Sequence, residues 1–400
     1  MNLFKAVYCR SQQFVFKVAI PFLPYRSPIL LQSVQEVPGM LQKRGLSRVL
    51  IVTDRAIHSC GVIEPLKRAL EREGVFYIVF DETVPNPTIA NVEKARSIYL
   101  ENKCEALIGF GGGSAMDCAK VVGARIARPR KNVQKIRGLF KILKRLPFTL
   151  AIPTTAGTGS ETTATALITD GDTHHKFTIN DLSLIPHAAV LDPEVTRSLP
   201  PHITSTTGMD ALTHAVEAYI GRSTVKSTRA DAIRAVELIS RNLENAYRNG
   251  DDMEARRNML LASFYAGRSF AKSYVGYCHA VAHTLGGTYN TPHGLANAVL
   301  LPYVLDAYGS CVYNKLKRLA IAAGVANDRT SAETAAKAFI DMIRRMNADM
   351  KIPEKLPGIR REDILAMSTK AEKEANPFYP VPRLMTRREL EQFYYVIMED

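Results

Sequence analysis

The first half of the chain alternates short apolar runs with amphipathic segments. SRVLIVTD (47–54) is a Val/Leu/Ile run of strand length and predicts a buried strand. VIEPLKRALEREG (62–74) spaces its apolar positions at helical intervals and stops at Gly74. VFYIVFD (75–81), TIANVEKARSIYLENKC (88–104), EALIGF (105–110) and SAMDCAKVVGARIA (114–127) continue the order strand, helix, strand, helix. That alternation predicts a parallel, doubly wound sheet. FTLAIPTT (148–155) adds another strand, and HKFTIND and AAVLD (188–192) add shorter extended pieces.

The pattern changes near residues 193–201. LDPEVTRSLPPHIT carries three prolines and gives way to long helical patterns. These are MDALTHAVEAYI, STRADAIRAVELISRNLENAYRNG, MEARRNMLLASFYAGRSFA and SAETAAKAFIDMIRRMNADM, and few strand signals follow. The expected architecture is an α/β N-terminal domain with a parallel sheet, followed by an all-α C-terminal domain. The expected bounds are an N-terminal extension at 1–27, the α/β domain at 28–195 and the helical domain at 196–400. A length of 400 residues agrees, being too long for one ordinary core.

Charge and cysteine usage narrow the function classes. The six cysteines lie far apart and form no CxxC pair, which argues against a disulfide framework and a thiolate zinc site. A reducing, cytoplasmic setting fits. The net charge is +13, and the stretch 124–147, ARIARPRKNVQKIRGLFKILKRLP, has no acidic residue. Such a stretch can attract nucleic acid or an anionic membrane, or it can be a solvated helix and loop whose basic stems cover apolar surface. No nucleic-acid motif accompanies it, so no nucleic-acid partner is expected. Residues 1–35 contain no Asp or Glu, and FVFKVAIPFLP resembles a signal core. Lys17 and Pro21 interrupt that run, and no stretch reaches the roughly 18–20 apolar residues of a membrane span. An extension packed on the body is expected.

Three strand ends carry chemistry suited to a nucleotide. In GFGGGSAMD (109–117), Gly111, Gly112 and Gly113 allow backbone N–H groups to approach a pyrophosphate at a helix N-terminus. The spacing is not GxGxxG, and a tight turn with positive φ would also use these glycines. Asp54 ends VLIVTD and can accept from a ribose 2′-hydroxyl, favouring NAD over NADP, or it can cap a helix. PTTAGTGSE (153–161) is a second loop, in which Thr154, Thr155 and Thr158 can donate to phosphate or nicotinamide. Lys176 is a candidate cation near the phosphates or ribose.

The helical half carries a different chemistry. Asp210 and His214 are spaced i, i+4, as are His279 and His283, and His293 follows a Thr-Pro turn. On helices each pair shares a face. One carboxylate with several imidazoles suits Fe(II), Zn(II) or Mn(II) and does not suit calcium or magnesium.

These motifs resemble the iron-containing (group III) alcohol dehydrogenases. GGGSAMD, PTTAGTGSE, LDPEVTRSLPPHITSTTGMDALTHAVEAY and HAVAHTLGGTYNTPHG match in order, from about residue 28 onward. The resemblance implies a dehydroquinate synthase-like architecture, with an N-terminal dinucleotide-binding domain and a helical metal-binding domain. It implies metal ligation by Asp210, His214, His279 and His293, and a proton-moving role for His283. It implies cofactor contacts from Asp54, Asn86, Gly112, Gly113, Ser114, Asp117, Thr154, Thr155, Thr158 and Lys176, and a substrate-pocket wall at Phe270. The implied reaction moves a hydride between a primary or small polyol alcohol and NAD(H), with the aldehyde as its counterpart. A homodimer or larger homo-oligomer is implied as well.

The chain departs from the family at Lys272, where Asn is common, at the bulky Tyr274, and in residues 1–27 and 124–147. These departures bear on the substrate. The alternatives are a zinc-type glycerol or 1,2-propanediol dehydrogenase, a dehydroquinate synthase-type lyase, and a non-enzymatic binder acting through 124–147. The DALTHAVEAY and TPHG segments favour the dehydrogenase.

Overall fold

The computed structural model describes residues 3–19, 24–171 and 175–399. Residues 1–2 and 20–23 of the expected N-terminal extension lie outside the described residues. The chain divides into two units, Pro24–Leu199, and Met1–Leu23 with Pro200–Asp400. The first helix, α1 (Leu3–Ala19), therefore groups with the later part of the chain. Arg10 donates to the carbonyls of Val381 and Pro382, Gln13 donates to those of Pro377 and Tyr379, and Lys5 pairs with Glu372.

The α/β unit runs β1 (Ile29–Leu31), α2 (Val37–Gln42), β2 (Arg48–Val52), α3 (Arg55–Ser59), α4 (Glu64–Arg72) and β3 (Phe76–Phe80). It continues through α5 (Ile89–Glu101), β4 (Ala106–Gly111), α6 (Gly113–Ala127), β5 (Gly138–Leu139) and β6 (Phe148–Pro153). It ends with β7 (Thr165–Thr169), β8 (Lys176–Asn180) and β9 (Ala188–Val190). Six strands form one sheet in the order β1-β9-β6-β4-β2-β3, with every pairing parallel. Helices cover both faces. Val49 and Ile51 of β2 join one buried cluster, and Leu50 and Val52 join the other. This two-sided burial is why the strand read as a continuous apolar run. β5, β7 and β8 form a second, three-stranded sheet. The short strands β1, β5 and β7 carried no recognisable signal in the sequence.

The chain passes from β2 outward to β3, then returns to β4 on the other side. The order of strands therefore reverses between β2 and β4. Ligands in open parallel sheets bind at the carboxyl ends of strands beside such a reversal.

Most of the basic stretch 124–147 that has partners is tied into this unit. Arg125 is buried and pairs with Glu93, with further bonds to the carbonyls of Arg128 and Lys131. Arg128 donates to Ile142 O and Lys131 to Lys141 O. The Arg137 guanidinium lies over the Phe177 ring.

The helical unit adds α7 (Pro201–Ile220), α8 (Lys226–Arg248), α9 (Met253–Ser273), α10 (Tyr277–Tyr289) and α11 (His293–Tyr308). It ends with α12 (Tyr313–Ala322), α13 (Ala332–Asp349), α14 (Arg361–Ala375) and α15 (Arg387–Ile397). The expected helix at MDALTHAVEAYI starts earlier, because Pro201 opens α7 at a position where its missing N–H is harmless. From Gly208 to Ile220 every residue of α7 is buried, so it is the central helix of this unit. No helix among the described residues is long and apolar enough to cross a membrane.

Gly208 sets how closely α7 and α8 approach. A Cβ there would lie 2.3 Å from Leu243 Cδ1 and 2.8 Å from Leu243 Cδ2, in a closed core. Gly208→Ala is expected to cost about 1–3 kcal/mol through overpacking. Gly39 in α2 has open space around it. Gly39→Ala is expected to stabilise by about 0.5–1 kcal/mol. Chemical denaturation followed by circular dichroism should show shifts of opposite sign.

Candidate functional site

The central helix places Asp210 and His214 one turn apart on the same stripe, with both side chains buried. Glu217 continues the stripe in the next turn. α10 brings His279 against it, and α11 begins at His293. Asn290 ends α10 with a left-handed residue at φ 56°, which lets Thr291 and Pro292 turn the chain into α11.

Gly294 decides how near α11 comes to α7. A Cβ on it would lie 2.4 Å from Thr206 O and 2.8 Å from Thr206 C, so only glycine fits against that backbone. The approach carries His293 to Asp210, with Nε2 3.4 Å from Oδ1. One ligand atom each from Asp210, His214, His279 and His293 lies within 4.8 Å of the others, a group that could hold a metal ion.

The electrostatics fit a cation. Burial, and then the neighbouring imidazoles, hold His279 well below the ordinary histidine range. Burial takes His293 down to about 4, although the Asp210 carboxylate pulls it up. Both rings are therefore neutral at pH 7, the form that ligates metals. His279 Nε2 is buried without a hydrogen-bond partner, 3.9 Å from Asp210 Oδ1. A buried lone pair facing a carboxylate is costly unless a cation joins them.

Three further side chains hold this group in place. Asn297, one turn into α11, donates through Nδ2 to Asp210 Oδ1 at 2.7 Å. Glu217 stands 2.6 Å from His279 Nδ1 and accepts the N–H groups of Gly276 and Cys278. Burial pushes Glu217 up to about 7, and the backbone N–H groups of Gly276, Cys278 and His279 pull against that. Phe270 of α9 stacks on His214, with ring centroids 4.2 Å apart.

His283 lies beside the four and outside their set. Its ring stacks on His293 at 5.2 Å, and its Nδ1 is 2.6 Å from Glu374 Oε1. The Tyr379 hydroxyl donates to the same oxygen at 2.7 Å. Burial works against the charged imidazole, yet the Glu374 carboxylate outweighs it and raises His283 above its ordinary value.

At the sheet, the nucleotide candidates collect around the strand reversal. Asp54 Oδ1 accepts from Ile57 N–H and caps α3, while Oδ2 lies 3.7 Å from where a Gly111 Cβ would be. Asp54 is therefore a cap that still presents an oxygen to the glycine turn. α6 starts at Gly113 with its N-terminus at that turn. Gly113 packs on Thr158, and Gly112 lies beside Thr155. Thr154 N–H bonds to Gly111 O, so the loops after β4 and β6 are joined. Asn86, at φ 58°, donates its N–H to Ser114 Oγ. Thr169 N–H bonds to Pro87 O, and Lys176 is the register partner of Thr169 in β8. These two pairings tie the strand carrying Lys176 to the loop carrying Asn86.

Asp117 points elsewhere. Its Oδ1 accepts from Ser160 Oγ at 2.6 Å and its Oδ2 from Leu167 N–H at 2.9 Å. The buried Lys120 ammonium joins the same network through Ser160, Thr163 and Thr165. Within this unit Asp117 and Lys120 fasten the second loop to α6.

The sequence reading missed Glu217, Asn297, Glu374 and Tyr379. Glu217 lies seven residues after Asp210 and Asn297 four after His293, so helical periodicity could have found both. Glu374 is 91 residues from His283, and no local pattern joins them.

Comparison with known proteins finds matches along both units of the chain. Residues 30–193 match the family described as iron-containing alcohol dehydrogenase, and residues 204–398 match the C-terminal part of the Fe-containing alcohol dehydrogenase family. The chain is 36% identical over 334 residues to the lactaldehyde reductase of Escherichia coli strain K12, covering 83% of this chain and 87% of that protein. It is 35% identical over 358 residues to the NAD-dependent methanol dehydrogenase of Bacillus methanolicus, covering 88% and 92%. The crystal structure of a 1,3-propanediol oxidoreductase superposes with a TM-score of 0.89 at 34% identity, covering 93% of this chain and 98% of that one.

Gly294→Ala would force the start of α11 off the α7 backbone and carry His293 from Asp210. The expected result is several-fold less divalent metal retained after purification, with NADH binding by the α/β unit unchanged. Elemental analysis and a fluorescence titration with NADH check the two halves.

Proposed function

Because the chain belongs to the iron-containing alcohol dehydrogenase family, we propose that its substrate is a small primary alcohol or short diol, or the corresponding aldehyde. NAD-dependent oxidoreduction of alcohols and aldehydes is the activity that this membership carries. The supporting observation within the molecule is the convergence of Asp210, His214, His279 and His293 in the core of the helical unit. These four hold a divalent ion, in our reading Fe(II), with Zn(II) or Mn(II) as the alternatives. When bound, the ion supplies a Lewis acid for the substrate oxygen, and the nicotinamide exchanges the hydride.

The chain's own residues do the rest. Phe270, stacked on His214, gives an apolar wall beside the ligands and limits the carbon skeleton of the substrate. Lys272 and Tyr274 follow it and shape that selection further. His283 handles the hydroxyl proton. Glu374 holds Nδ1 as a donor, so Nε2 is the nitrogen that would take or return the proton.

Asp54 Oδ2 accepts from the adenosine ribose and repels a 2′-phosphate, which favours NAD over NADP. Gly112, Gly113 and Ser114 at the α6 N-terminus receive the pyrophosphate. Asn86, Thr154, Thr155, Thr158 and Lys176 complete the cofactor contacts. Asp117 serves the cofactor indirectly, by holding the second loop on α6. Six free thiols fit a reducing cytoplasm, and the family resemblance supports a homodimer or larger assembly.

The test is anaerobic purification, removal of metal, and restoration with Fe(II), Zn(II) or Mn(II), following NADH oxidation with a panel of short aldehydes. Restoration by Fe(II) is expected, and no activity with any of the three ions defeats the reading. His283→Gln is expected to lower turnover by about 10²-fold or more while metal content stays at the wild-type level. Loss of metal along with activity would instead place His283 among the ligands.

A further inference from the structure

Glu217 makes contacts that neither the ligand set nor the reaction explains. It sits two turns after Asp210 on α7, with its side chain only 2% exposed. Two backbone N–H donors and one imidazole nitrogen converge on its carboxylate. Oε2 accepts from Gly276 N–H at 2.7 Å and lies 2.6 Å from His279 Nδ1, and Oε1 accepts from Cys278 N–H at 2.8 Å. Gly276 is the N-cap of α10, so both backbone donors belong to the start of that helix. Those N–H groups have no partner within the helix itself. A Cβ on Gly276 would lie 2.6 Å from Glu217 Oε1, so the glycine is needed for the carboxylate to reach.

We propose that Glu217 is the positioning residue of the metal centre, fixing both the tautomer of His279 and the seat of the α10 first turn. The inference rests on the ligand-set reading above. A neutral imidazole has one N–H and one lone pair. Both Glu217 oxygens already accept a backbone N–H, so the ring nitrogen beside Oε2 carries the proton. His279 Nδ1 is therefore the donor, and Nε2 turns its lone pair toward Asp210 and His293. Nε2 has no hydrogen-bond partner among the described residues, as this assignment requires. Carboxylates that hold a ligating imidazole in this way typically contribute 10- to 100-fold to metal affinity.

The competing explanation is that Glu217 only caps α10. Glu217→Gln separates the two. An amide offers one acceptor oxygen to three donors. If its NH2 faces His279, the ring adopts the opposite tautomer, with a proton on Nε2. The expected result is a Zn(II) affinity about 10- to 100-fold weaker by chelator competition, with the helical circular dichroism signal of wild type.

A second measurement needs no variant. ¹⁵N spectra of histidine-labelled, Zn(II)-loaded wild-type protein should show His279 protonated at Nδ1, assigned by comparison with His279→Gln. Unchanged zinc affinity in Glu217→Gln, or a proton on Nε2 of His279 in wild type, overturns the proposal. If wild-type protein binds no divalent metal, the ligand-set reading fails and takes this proposal with it. If wild-type protein binds zinc and the variant binds it equally well, this proposal alone fails.

Discussion

A cluster of ionisable side chains sits inside a dry helical core, and the arrangement of the helical unit is what makes it tolerable. Asp210, His214 and Glu217 all belong to α7, the most buried helix of the unit. Isolated charges in such surroundings are unstable by several kcal/mol each unless paired. Here three neighbouring helices bring partners to them. α10 contributes His279 and two backbone donors, α11 contributes His293 and Asn297, and α9 lays Phe270 against His214. Two glycines permit this approach, Gly276 against the Glu217 carboxylate and Gly294 against the α7 backbone. Asp210, His214, His279 and His293 form a group that could hold a cation among them.

The two histidines of α10 illustrate how surroundings assign roles. His279 and His283 lie one turn apart on the same helix. Burial and adjacent imidazoles keep His279 neutral, with Glu217 at its Nδ1. His283 is partly exposed and carries Glu374 at its Nδ1, and the nearby carboxylate raises its proton affinity. One ring is thereby suited to donate a lone pair to a metal and the other to exchange protons. Each is oriented by its own glutamate.

The α/β unit solves a separate problem by a different route. Its parallel strands deliver their carboxyl ends to one edge, and the reversal between β2 and β4 leaves a place where flanking loops do not cover the strand ends. Asp54, the glycine turn and the threonine loop meet there through backbone and small-residue contacts. The buried Lys120 and Asp117 fasten the second loop to α6, so that the α6 N-terminus and the threonines are held as one piece.

Much of this was legible in the order of residues, for local reasons. Apolar runs marked β2, β3, β4 and β6 because both faces of a parallel sheet are buried. The i, i+4 spacing of Asp210 with His214 placed them on one helix face because an α-helix repeats every 3.6 residues. The glycine run marked the turn between β4 and α6, where Gly111 adopts a positive φ. Spacing alone could not separate His283 from the ligands, nor tell whether Asp54 caps a helix or faces a ribose. Folding answered the first by bringing Glu374 across 91 residues to His283, and showed that one Asp54 oxygen caps α3 while the other remains toward the glycine turn. It also revealed that Asp117 spends its oxygens inside the protein, and that much of the basic stretch is tied down by Glu93 and by backbone carbonyls. Periodicity governs which side chains share a face, and the sequence by itself determined that much. Which faces meet, and which partner each ring nitrogen faces as a result, depends on contacts between distant segments, and only the tertiary structure decided it.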